Sequence, residues 1–475
     1  GGTNSASNLQ DISEWNGLGT GFDLESIPEI RSFSTVIATL ITWNEEKERS
    51  TYKGTFLPRI PSSLPPPSPH RVINPTTLET MSTWQKEALK AKTILHTSIP
   101  TQWLLPEDKL PPSDQKNVAD FPRASGLFTD RELSITEMSA TALVAGMGAG
   151  LLSAEEVMVA FLKRAVLGHQ LVRFIFVFVS RASTECADDS WQTKPLPGPK
   201  SWTRTTSGQG SYRLKHGVPI SVKEHIGIKN LTCNGGYVAW VNDIAPEDAL
   251  ILQCLHKAGA IFHVRTNQPQ SLMHLCCSNN LTGTTTNPYN RTLTPGGSSG
   301  GEGASMGFKC APLGIGTDIG GSIRAPAAFC NAYGFRPTMR RNPCSGIKAP
   351  EPGQEAILGV VGPLAAQSLD DLELFQRVVL DAEPWDIETS LVPLPWRRVK
   401  ENRKFTVGIM WDDGYTSFLF ILSLKGFKYK IERSVRTHPS ARALQAARSK
   451  LQAAGIKVVD WEPYKHAHGW DIIGP

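Results

Sequence analysis

The chain has 475 residues, 40% of them hydrophobic and 20% charged, with a net charge of +5. This length and composition describe a globular protein with a sizeable buried core and exclude a disordered chain. The basic excess is spread along the whole sequence, with no stripe of Lys and Arg interleaved with aromatics, so nucleic acid is not the expected partner.

Residues 1–80 carry no sustained period, and Leu57–His70 is rich in proline and serine. This stretch reads as largely unstructured and outside the natural protein. Met81-Ser82-Thr83-Trp84 opens a helical pattern and is the expected natural start. Helical periodicity returns at Ile135. Ser153-Ala154-Glu155-Glu156 fits a capping box, followed by Val157, Phe161, Leu162, Ala165 and Val166 at helical spacing.

Val218–Val222 is a short apolar strand that delivers Lys223 at its end. Pro246–Ala258 reads as a helix and Ile261–Val264 as a strand. Gly303–Gly307 is a helix of small residues. Ser368-Leu369-Asp370-Asp371 starts another capped helix. Phe405–Trp411 is a strand, Ala441–Ala454 a helix ended by Gly455, and Ile456–Trp461 a further strand. Strands alternating with helices predict an α/β fold. Two segments, 174–212 and 415–434, break this texture and read as inserts foreign to the fold.

The eight cysteines are scattered without a Cys-x-x-Cys pair, which points to reduced thiols and a cytoplasmic protein. The apolar runs Leu171–Val179 and Phe418–Leu424 fall far short of the ~20 residues of a membrane helix. His216, His225 and His274 lack metal-ligand spacing and read as core or surface side chains. No metal or organic cofactor is expected.

The chemistry-bearing residues lie in two glycine-dense stretches, Gly296-Gly297-Ser298-Ser299-Gly300-Gly301 and Gly316-Thr317-Asp318-Ile319-Gly320-Gly321-Ser322. Ser322 is the candidate nucleophile. A serine hydroxyl is inert at neutral pH unless a base takes its proton. The glycines before it leave backbone N–H groups unshielded, so those of Ile319, Gly320, Gly321 and Ser322 are candidate donors to an oxyanion. Such a donor is worth ~3–4 kcal/mol in the transition state. Lys223 is the candidate base. Its ordinary pKa of ~10.4 must fall toward 7, which burial at the end of an apolar strand achieves. Ser298 is the candidate bridge, passing a proton from Ser322 to Lys223.

With these residues in place, the chain resembles the amidase signature family. The resemblance rests on Gly217–Glu224, Thr266–Gln270, Gly283–Pro288, the block Gly296–Thr338 and Gly362–Ala365, and spans Trp84 to the C-terminus apart from the two inserts. It implies one large domain over 81–475, a mixed β-sheet covered by helices. It also implies amide hydrolysis through an acyl-enzyme on Ser322, with Ser298 as a bridge preceded by a cis peptide, and Lys223 as base. Leu272 matches a position near bound substrate. Asp318 and Arg324 are expected to brace the loop. Glu224 stands where the family commonly has aspartate, and members usually continue past the position of Pro475, so the domain is expected to be C-terminally incomplete.

The block around Ser322 and Thr437–Leu444 is most similar to acetamidase-type fungal amidases. The implied partner is a small-molecule amide, with homodimerisation left open. Three other readings compete. One is the glutaminase subunit of a tRNA-dependent amidotransferase. Another is an inactive, truncated homologue. The third is a nucleophile elbow at Ser299, from Gly297-Ser298-Ser299-Gly300-Gly301, which requires a strand before it.

Overall fold

The computed structural model describes residues 81–179, 217–349, 359–397, 406–411 and 439–462, together with Tyr464, Lys465 and His468. Within the stretch expected as one domain, contacts gather in two units, Pro61–Arg397 and a second that includes Arg398–Pro475.

In the first unit, α1 (Thr83–Ser98) starts where the sequence places it, with Ser82 and Gln85 closing a capping box. Two short helices follow, α2 (Asp130–Thr136) and α3 (Ala140–Gly148). The long helix α4 (Ala154–Val172) buries Val157, Phe161, Leu162, Ala165 and Val166, as its period predicts. Only half of its expected capping box forms. Ser153 Oγ accepts from the Glu156 N–H at 3.1 Å, but Arg131 draws the Glu156 carboxylate away. A left-handed Arg173 ends the helix and turns the chain into β1 (Ile175–Phe178). The segment 174–212 therefore begins inside the fold, because Phe174–Val179 is buried and β1 pairs antiparallel with a sheet strand. Residues 1–80, 180–212 and 415–434 lie outside the described residues.

β2 (Val218–Lys223) is central, parallel to β3 (Ala260–Thr266) on one side and to β4 (Leu313–Asp318) on the other. A parallel strand covered on both faces reads as a continuous apolar run, which is why this segment stands out in the sequence. β5 (Tyr333–Gly334) and β6 (Val360–Ala365) complete a six-stranded mixed sheet of order β1-β3-β2-β4-β6-β5. Helix α5 (Leu250–Lys257) is shorter than its pattern because its leading N–H groups go elsewhere. Ala249 donates to the Gly227 carbonyl at 2.8 Å and Leu250 to that of Ser345 at 3.0 Å.

One sheet face carries Ile220, Val222, Phe262 and Ile315 and packs with Phe161 of α4 and Phe375 of α8 (Leu369–Asp381). Asp371 of α8 caps α3, accepting from the N–H groups of Ala140 and Thr141 at 3.0 and 2.9 Å. The other face is covered by α6 (Gly300–Gly307), every residue of which is buried. Small residues permit that approach: a Cβ on Gly301 would lie 2.5 Å from the Asn267 backbone. A short helix, α7 (Arg324–Phe329), follows the β4 loop.

In the second unit, β7 (Thr406–Ile409) pairs in parallel with β8 (Lys457–Asp460). Helix α9 (Pro439–Ala453) precedes β8, and Gly455 makes the turn at φ +76°.

Candidate active site

Side chains alternate across a strand, so Ser221 and Lys223 of β2 face α6 while Ile220 and Val222 face away. Lys223 is fully buried at the end of its strand. Its Nζ lies 2.7 Å from Ser298 Oγ and 2.9 Å from Thr317 Oγ1. Burial pushes its pKa down from 10.5 to about 7, against the weaker opposing pull of the Asp318 and Glu302 carboxylates. The amine is therefore able to shed its proton near neutral pH.

Ser298 sits just before α6, after a cis Gly297-Ser298 peptide, and is buried. The strand and the helix start thus bring Lys223 and Ser298 together, as expected from the sequence. Ser322 reaches the same neighbourhood through its backbone: its carbonyl accepts from the Ser299 N–H at 3.1 Å. Its half-buried Oγ has no hydrogen bond to a described residue, so the link from Ser298 to Ser322 is not closed here.

The 318–322 loop is held by Asp318. Its Oδ1 accepts from the Gly321 N–H at 2.7 Å and its Oδ2 from the Ile323 N–H at 3.0 Å. Arg324 adds two contacts at 3.0 Å, and Arg336 lies 3.5 Å away. Burial acts to raise the Asp318 pKa, but these donors outweigh it and hold the group at about 2. Asp318 and Arg324 brace the loop, as expected. One of the four expected oxyanion donors is occupied: the Gly321 N–H is committed to Asp318. The N–H groups of Gly320 and Ser322 have no acceptor among the described residues. Gly321 takes φ +127°, a conformation open to glycine.

Leu272 ends a short 3-10 turn, Gln270–Leu272, at φ +64° and is buried. It lies two residues before His274, whose carbonyl packs on Gly297. A Cβ at Gly297 would sit 2.4 Å from that oxygen.

Sequence reasoning missed two members of the cluster. Thr317 joins Lys223 to His225, whose Nε2 lies 2.8 Å from Thr317 Oγ1 and whose Nδ1 lies 2.9 Å from the Lys348 carbonyl. Burial lowers the His225 pKa to about 3, so the ring stays neutral. Both residues sit two positions from a candidate already in hand, Lys223 or Ile319. That spacing was the available signal. Glu224, the departure from the family pattern, has a structural task. It accepts from the N–H groups of Asn234 and Gly235 at 2.7 and 3.0 Å and from Gln268 Nε2 at 2.6 Å.

The elbow at Ser299 is excluded. Residues 290–295 form no strand, and Ser299 is fully buried with its Oγ on the Thr317 carbonyl at 3.2 Å. No group of side chains able to hold a metal occurs among the described residues. No described helix is long and apolar enough to cross a membrane. The seven described cysteines are all free.

The mixed sheet and helices that carry this lysine and serine form an α/β fold shared with a solved amide hydrolase. The chain belongs to the amidase signature family: the family model for amidases matches residues 200–419. A Schizosaccharomyces pombe protein provisionally named an amidase is 40% identical over 396 residues, 82% of this chain and 68% of that one. The Aspergillus oryzae acetamidase is 37% identical, again over 82% of this chain and 67% of the relative. A solved structure of a fatty acid amide hydrolase superposes with a TM-score of 0.70 at 34% identity, covering 82% of this chain and 65% of that one.

Proposed function

We propose that this protein hydrolyses carboxylic amides to acid plus ammonia or amine, through an acyl-enzyme on Ser322. The single observation that carries this reading is Lys223, fully buried, with Nζ 2.7 Å from Ser298 Oγ and its pKa lowered to about 7. In the proposed cycle, Ser322 Oγ attacks the amide carbon as its proton passes to Ser298, which gives its own to Lys223 Nζ. The N–H groups of Ile319, Gly320 and Ser322 hold the oxyanion. Collapse of the tetrahedral species breaks the C–N bond, and the Lys223 proton returns through Ser298 to the leaving nitrogen. Water, deprotonated by the same relay, then frees the acid and restores Ser322.

The names of the fungal relatives favour a short aliphatic amide, with Leu272 beside the acyl group. The free thiols favour a cytoplasmic setting. A fluorophosphonate probe tests the nucleophile: peptide mapping should place the adduct on Ser322 and nowhere else. Absence of labelling at every pH, or an adduct on Ser299, defeats the reading. A panel of short aliphatic, aryl and long-chain amides, with glutamine included, then identifies the substrate.

A further inference from the structure

Glu302 is a fully buried carboxyl group that the cycle above does not use. It lies in the first turn of α6, one helical turn beyond Ser298. Its Oε2 accepts from Ser221 Oγ at 2.6 Å and its Oε1 from Thr266 Oγ1 at 2.6 Å. Ser221 precedes Lys223 by two residues on the same face of β2, and Thr266 is the direct neighbour of Lys223 on β3. On the far side, Gly314 of β4 pairs with Ser221, and a Cβ there would fall 1.9 Å from Glu302 Oε2. The sheet thus leaves a glycine gap for a carboxylate beside the lysine.

We propose that Glu302 is the counter-charge for the Lys223 ammonium that forms when Ser322 gives up its proton. This rests on the acyl-enzyme reading and makes Glu302 a positioning residue acting through Lys223. The charges facing the pair leave it that role. Asp318 also attracts Lys223 but is already balanced by Arg324 and Arg336. Cys277 is pushed up to about 12 by burial, so its thiol is neutral, and His225 is neutral as well. Both partners of Glu302 are uncharged hydroxyls, which neutralise nothing. Burial raises its pKa to about 7, where that of Lys223 has fallen, and Lys223 is the one charged side chain acting on it. A buried charge without a partner is costly, and a proton arriving on Lys223 creates such a charge.

The test is the pH dependence of Ser322 phosphonylation in E302Q. Glutamine fills the same space without the charge. An opposite charge nearby favours the ammonium, so its removal should move the acid limb to lower pH by about one unit. T266V is the second variant: it keeps the carboxylate but removes one donor, so Glu302 holds its proton to higher pH and the limb moves the same way by less. An unmoved limb in folded E302Q overturns the proposal. If E302Q does not fold, an unmoved limb in T266V does so. Wild-type protein that labels at no pH defeats the acyl-enzyme reading instead, so the two failures are distinct.

Discussion

Replacing Lys223 by methionine should stabilise the protein while slowing its chemistry. Methionine matches the buried stem and removes the amine. Burial lowers the lysine from its ordinary 10.5 to about 7 in the folded chain. The unfolded chain keeps the ordinary value. Between these two values the unfolded state binds a proton that the folded state does not, so wild-type stability from this group rises with pH across that window. Below about pH 7 the whole cost of the buried ammonium is present, about 5 kcal/mol at 1.36 kcal/mol per unit.

Against that gain, methionine loses the hydrogen bonds to Ser298 and Thr317, about 1 kcal/mol each. K223M should therefore be about 3 kcal/mol more stable than wild type near pH 6. The advantage should shrink by about 1.4 kcal/mol per unit above pH 7 and vanish near pH 9. Urea midpoints of both proteins across that range provide the measurement. A variant less stable than wild type at pH 6, or a constant gap, refutes the account of a desolvated amine. Turnover should fall by about 10²–10⁴ in the same variant.

Alanine at Ser322 should remove fluorophosphonate labelling entirely, while alanine at Ser298 should leave a slow reaction that no longer follows Lys223 ionisation; peptide mapping and a pH series read both. H225N should slow labelling yet keep the acid limb near pH 7, because the histidine is already neutral above about pH 3; loss of the limb would assign it to His225 instead. D318N should cost about 2–3 kcal/mol from charged hydrogen bonds to Gly321, Ile323 and Arg324, read by urea denaturation. The Asp318 pKa is lowered from 3.8 to about 2, so that contribution is present above pH 3.8 and lost as pH falls toward 2.

The strand before Lys223 was legible because burial on both faces demands a continuous apolar run. The helix at Ala154 was legible because one face is apolar at regular spacing and a serine precedes it. β1 was misplaced for a physical reason. Its run Phe174–Val179 carries the same signal as β2, but it opens a stretch without period, and the whole was read as one insert. Thr317, His225 and Glu302 were not legible as buried neighbours of the Lys223 strand. Their placement comes from pairings between β2, β3, β4 and α6, which are distant in sequence. A glutamate among glycines looks like a solvated loop until the sheet beneath it is known. Asp318 was legible as a brace, but which N–H it takes was not, because this depends on how the loop turns at Gly321.

At Gly301, α6 packs directly on the Asn267 and Phe174 backbone, so the helix that follows Ser298 lies close against the sheet that carries Lys223. A side chain at Gly301 would meet that backbone, and one at Gly314 would displace the Glu302 carboxylate, so both positions are expected to admit little beyond glycine. If Leu272 lines the acyl site as proposed, the turn at Gln270–Leu272, on which Gly236 packs, is where a change in substrate preference is expected to be tolerated. A library that diversifies that turn while leaving α6 untouched is the economical route to new selectivity in this scaffold.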